Sequence, residues 1–96
     1  MKVRFLARAN RELTAATNYY SKESMVAASR FLDEIEESLS EIRVNPTLYR
    51  KYRSDIRVKL LAGFPYSIYY KIKPQEIVIV AVSHHSRRPD YWQNRA

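Results

Sequence analysis

Val3, Phe5 and Ala7 alternate with Lys2 and Arg4 at the start of the chain, Leu6 being the one exception. This two-residue period predicts a half-buried first strand. From Asn10, a plausible cap with Glu12 in the first turn, the period changes. Leu13, Ala16, Thr17 and Tyr20 then share one helical face until Ser21-Lys22-Glu23-Ser24 interrupts it. Ser24 can cap a second helix with the stripe Ala28, Phe31, Leu32, Ile35, Leu39 and Ile42, ended by Asn45-Pro46 because the residue before proline is pushed out of the helical region. Asp33, Glu34, Glu36, Glu37 and Glu41 fall on its other face, read as solvated surface. After the basic, aromatic connector Tyr49 to Arg53, the period returns to two. Ile56, Val58 and Leu60 alternate with Arg57 and Lys59, and Tyr66, Ile68, Tyr70 and Ile72 alternate with Ser67, Tyr69, Lys71 and Lys73. Ile77 to Val82 is apolar at every position, as expected of a strand in the middle of a sheet.

The order strand, helix, helix, strand, strand, strand predicts an α+β fold. An N-terminal strand is followed by a two-helix antiparallel hairpin, packed on one face of a small, mostly antiparallel sheet whose last three strands form a meander. Residues 1–96 are read as one domain, since a chain of this length has material for one core. If the apolar positions of every strand face the helices, the other face is bare and carries Arg57, Lys59, Tyr69, Lys71 and Lys73.

Composition narrows the function classes. At 46% hydrophobic with one glycine the chain is globular in type. It has no cysteine, so disulfides, zinc-thiolate sites and thiol nucleophiles are excluded. No apolar run approaches the ~18 residues that span a bilayer, and the amino end lacks a signal-peptide core. The expectation is a soluble cytoplasmic protein without membrane contact. The net charge of +7 is uneven: residues 1–42 hold six basic and seven acidic side chains, residues 43–96 eleven and three. A concentrated positive field attracts phosphates or acidic protein segments. Cations interleaved with tyrosines suit nucleic acid, where they neutralise phosphate and stack on bases.

The carboxyl end supplies the candidate chemistry. His84, His85, Arg87, Arg88, Tyr91 and Trp92 follow the last strand directly. Neutral imidazole can exchange a proton near pH 7 and arginine can clamp a phosphate at two points, which suffices for acid-base attack on an RNA phosphodiester and equally for binding alone. No partner histidine at helical spacing supports the His-His pair as a metal site, and no metal or other cofactor is expected. Trp92 is read as a cap on the core.

NYY at the end of the first helix, NP after the second, IRVKLL from Ile56, FPYSIYYKI from Phe64 and IVIVAVSHHSRRPDYW from Ile77 together resemble the RelE/ParE family of bacterial toxins over nearly the whole chain. The resemblance implies the growth-inhibiting, plasmid-stabilisation type of toxin in a type II toxin-antitoxin module, with a cognate antitoxin as partner. A homodimer or a toxin-antitoxin hetero-oligomer is compatible with it. It also implies one of two targets. ParE-like members poison DNA gyrase, which is the preferred reading, and RelE-like members cut messenger RNA in the ribosome. For the nuclease the strand cations of the family pattern fall on Arg57 and Lys59, the terminal aromatic on Tyr91, and the phosphate-binding arginine after the last strand on His85 or Arg87; the roles this implies are His85 as acid or base, Arg87 and Lys59 on phosphate and Tyr91 stacking on a base. The arginine usual in the next strand is replaced by Ser67. Target or nucleic-acid binding would involve Arg57, Lys59, Tyr69, Lys71, His84, Arg87 and Arg88. A basic nucleic-acid-binding module without toxicity is a further alternative.

Overall fold

Strand β1, Lys2–Phe5, passes into helix α1, Ala7–Glu23, through Leu6 alone. The helix therefore starts before Asn10, and its N-cap, Leu6, makes no side-chain cap bond. Asn10 is instead the first donor of the helical ladder, from its N–H to Leu6 O at 2.9 Å. The computed structural model describes residues 1–95. In it the remaining elements are α2, Met25–Val44, and strands β2, Lys51–Arg53, β3, Ile56–Leu60, β4, Tyr66–Ile72, and β5, Glu76–His84.

Ser24 breaks the helices apart, and its Oγ accepts from Ala27 N at 2.9 Å, the capping bond that starts α2. Ala28, Phe31, Ile35 and Ile42 are buried on the inner face of α2 as their spacing requires, whereas Leu32 is 40% exposed. Phe31, Tyr20, Phe64 and Tyr66 pack against one another, mostly edge to face, with ring centroids 5.0 to 6.2 Å apart.

The sheet order is β1-β5-β4-β3-β2, with β1 parallel to β5 and every other pair antiparallel. β5, with its apolar run Ile77 to Val82, is thus internal. The connector after α2 forms β2, an edge strand missing from the sequence-based elements. The pairing of β4 with β5 has one irregularity: Tyr69 pairs with Ala81 but Tyr70 pairs with Ile79, leaving Val80 without a counterpart. Such a bulge shifts the alternation of β5 by one residue. Ile77, Ile79 and Val82 join the helix-side core, while Val80 and Ala81 join a second cluster on the opposite side with Ile56 and Trp92.

The register of β3 against β4 corrects the expected bare face. Arg57 pairs with Tyr70 and Lys59 with Ile68, while Val58 pairs with Tyr69 and Ile56 with Lys71. Directly paired residues point to the same side. Tyr70 and Ile68 are fully buried under the helices, so Arg57 and Lys59 lie on the helix side and Tyr69 and Lys71 on the other. The opposite side is not bare either. Residues 85–95 fold back across it as an arm, and Trp92, 3% exposed, covers Ile56, Val80 and Ala81.

Candidate functional site

The two cations of β3 serve the helix layer. The Arg57 guanidinium donates to Tyr49 O at 2.7 Å and to Thr47 O at 3.3 Å, tying down the segment after α2. Lys59 Nζ lies 3.6 Å from Glu41 Oε1 and 5.1 Å from the Tyr49 ring centroid. Tyr70, beside Arg57, donates its hydroxyl to Pro46 O at 2.6 Å, and burial pushes its phenol up to about 12. Both cations therefore have structural partners on the face away from the arm. A groove of about 830 Å³ runs along α2 on that side. Of its carboxylates, Glu34 accepts the backbone N–H groups of Ala62 and Gly63, and Glu41 meets Lys59.

The histidine pair is divided by the end of β5. His84 pairs with Tyr66 and sits edge-on to its ring at 5.0 Å, on the helix side. Its Nδ1 accepts from Ser86 N at 2.9 Å, which leaves the ring proton on Nε2 and makes the imidazole a staple of the turn. His85 is exposed on the arm side, where its Nε2 is 2.9 Å from Ser67 Oγ and its backbone N–H donates to Pro65 O at 2.8 Å. Ser67, where the nuclease pattern wants an arginine, is thus the hydrogen-bond partner of the histidine.

The arm is held at three places. Trp92 packs on Tyr69 and Tyr52 with centroids 4.5 and 5.9 Å apart. Asp90, in the left-handed region at φ 63°, pairs with Arg53 at 2.9 Å. Third, Tyr91 donates its hydroxyl to Glu12 Oε2 at 2.5 Å, and Arg95 grips the same carboxylate through Nη1 at 2.9 Å and Nη2 at 3.0 Å. Burial, then the bond to Glu12, push the Tyr91 phenol above its ordinary value. Arg87 stacks on the Tyr91 ring at 3.8 Å and Arg95 lies 5.0 Å from the same centroid. Two guanidiniums of the chain itself thus already lie against the ring that would stack on a base.

The four residues of the nuclease pattern are not all brought together. Lys59 is on the helix side, whereas His85 and Arg87 both line a cleft on the arm side and Tyr91 is bonded to Glu12. Among the binding candidates, Arg87 and Arg88 are exposed at the start of the arm. Arg88, Arg50, His85, Ser67, Tyr69 and Tyr52 line one cleft of about 270 Å³. Lys71 shares the side of Tyr69 but lies four residues from Ser67, roughly 13 Å along the strand, and is 3.4 Å from Asp55. Among the described residues no group of three or more His, Cys, Asp or Glu could hold a metal ion, and no helix is long and apolar enough to cross a membrane.

Glu12 is the residue that sequence reasoning misses. Spacing alone makes it a first-turn acid, yet it is three residues after Ala9 and four before Ala16, both buried, so an acid stands at a core-spaced position of the helix. That is its one sequence signal.

Comparison with known proteins agrees with this architecture. The family model described as the ParE toxin of type II toxin-antitoxin system, parDE, matches residues 3–89. No curated protein sequence matches. Among solved structures, a chain of the chromosomal ParDE TA system from P. aeruginosa superposes with a TM-score of 0.64 at 18% identity, covering 88% of this chain and 95% of its own. At that identity the likeness speaks for the fold.

Proposed function

The chain belongs to the ParE toxin family of type II toxin-antitoxin systems, and from that premise we propose that it arrests growth by poisoning DNA gyrase. In this reading it acts in the cytoplasm until a cognate antitoxin neutralises it. The observation that carries the choice of target is the separation of Lys59, on the helix side with Glu41, from His85 and Arg87 on the arm side, with the Tyr91 hydroxyl taken up by Glu12. Acid-base cleavage of a phosphodiester needs its groups around one reacting phosphate within hydrogen-bond reach. Binding a large partner does not, because a surface can be spread over a strand end and an arm. The groups best disposed for it are Arg87, Arg88 and Arg50, with the His85 imidazole beside them at the cleft, since arginine provides the planar, weakly hydrated charge that recurs in interfaces.

Purified chain added to gyrase and relaxed plasmid is expected to inhibit supercoiling and to accumulate cleaved DNA, while ribosome-bound messenger RNA stays intact. Cut messages with unaffected supercoiling would overturn this target in favour of the nuclease. Expression without an antitoxin that leaves growth unchanged would remove both.

A further inference from the structure

Resting on the arm as the target-binding element, we propose that Glu12 is its positioning residue: one carboxylate on α1 holds the arm beyond His85 in the geometry that presents Arg87 and Arg88. The reason begins at the sheet edge. β1 stops at Phe5, and the last bond on its line is Leu6 N to Ile79 O at 3.0 Å. Beyond it, β5 continues without a strand neighbour on that side. Backbone groups two residues apart on a strand point the same way, so Val80 C=O and Val82 N–H both face this unpaired edge. Glu12 Oε1 accepts from Val82 N at 3.0 Å, and Arg95 Nη1 donates to Val80 O at 3.3 Å. The ion pair therefore stands in for the next residues of β1, and the arm closes the sheet edge through its own last arginine.

The knot at Glu12 is saturated and largely shielded from solvent. Glu12 receives Val82 N–H, Tyr91 O–H and two guanidinium N–H groups, with side-chain exposures of 14% for Glu12 and 10% for Arg95. Arg95 Nε, also buried, has no partner of its own. Removing either member of such a pair leaves a largely desolvated charge without its partner, and the remaining bonds of the knot lose their common acceptor or donor. Its effect reaches the exposed cations by contact: Glu12 orients Tyr91, and the Tyr91 ring carries Arg87, whose Nη1 is itself 4.0 Å from Glu12 Oε2. Arg88 follows in the same turn.

Trp92, the chain's one tryptophan, reports on the arm. In the full chain, Arg95→Ala and Glu12→Gln are expected to shift its emission to the red and to raise acrylamide quenching severalfold, with helical circular dichroism unchanged. Gyrase inhibition should weaken about tenfold or more, as expected for loss of charge-assisted bonds. Arg95→Lys, which keeps the charge without the fork, should recover part of both. Trp92 emission unchanged in Arg95→Ala would overturn the proposal, and so would an opened arm with undiminished inhibition. Should Glu12→Gln fail to fold, Arg95→Ala carries both readouts from near the chain end. A wild-type chain that arrests growth without touching gyrase would sink the target reading alone. The same variants would then decide the positioning role by growth arrest.

Discussion

The two sides of the sheet are covered by different means. On one side two long helices lay down an apolar core, mostly aliphatic with an aromatic cluster at Phe31, Tyr20 and Tyr66. On the other, the arm covers a small cluster with one tryptophan and fastens itself through ion pairs to Arg53 and Glu12. Apolar burial is non-directional and scales with area, so the helix side can supply most of the stability. Ion pairs and hydrogen bonds add little net free energy but fix geometry. The contrast teaches where presentation is decided: the helices make the sheet fold, and the polar anchors decide how the basic arm is displayed.

The largest test of this contrast removes one aromatic from each side. Phe31→Ala is expected to cost about 3–5 kcal/mol and to lower the melting temperature of the whole chain. Trp92→Ala should fall at the lower end, about 3 kcal/mol or less, because an arm at the surface can settle into the space left behind. Equal losses by calorimetry would show that the arm is as integral to the core as the helices.

Next in size is a functional comparison between cations of the two sides. Arg88→Ala is expected to weaken target inhibition about tenfold. Lys59→Ala, whose partners are Glu41 and Tyr49, should leave inhibition unchanged and cost under about 1 kcal/mol of stability. If the lysine variant proved the inactive one, the working surface would lie under α2 instead.

An alkaline titration sharpens the helix side further. Tyr70 holds its proton up to about 12 through burial, above the ordinary value near 10. A raised acid favours the native state while protonated, so its contribution is complete below about pH 10 and is lost as the pH rises towards about 12. Tyr66, Tyr20, Tyr69 and Tyr91 are shifted in the same direction, chiefly by burial. Denaturation midpoints measured across that interval should fall, and Tyr70→Phe should flatten the slope. An unchanged slope in that variant would assign the loss to the other tyrosines.

The smallest effect belongs to Lys71. Its pairing with Asp55, 58% exposed, is a surface contact, and Lys71→Ala should change stability by less than about 0.5 kcal/mol. Its distance from the arm also predicts little change in inhibition.

Much of the fold is legible from residue order. The stripe on α2, the Ser24 cap, the internal place of β5 and the meander all come from spacing and turn chemistry, and the structure has them. The site is less legible. Alternation groups Arg57 and Lys59 correctly with each other, but the side it suggests for them is the wrong one. The histidines, adjacent in sequence, read as one site although the pleat sends them apart. Glu12 and Arg95 carry no motif, and their meeting depends on where α1 crosses the end of β5.

What the sequence by itself determined is periodicity: which residues of an element travel together, where each element stops, and that charge concentrates in the second half. Tertiary structure alone decided which side each set faces. Alternation along a strand looks the same when the strand is turned over, so only the register of Val58 against Tyr69, the bulge at Val80 and the closure of the arm onto Glu12 could break that symmetry.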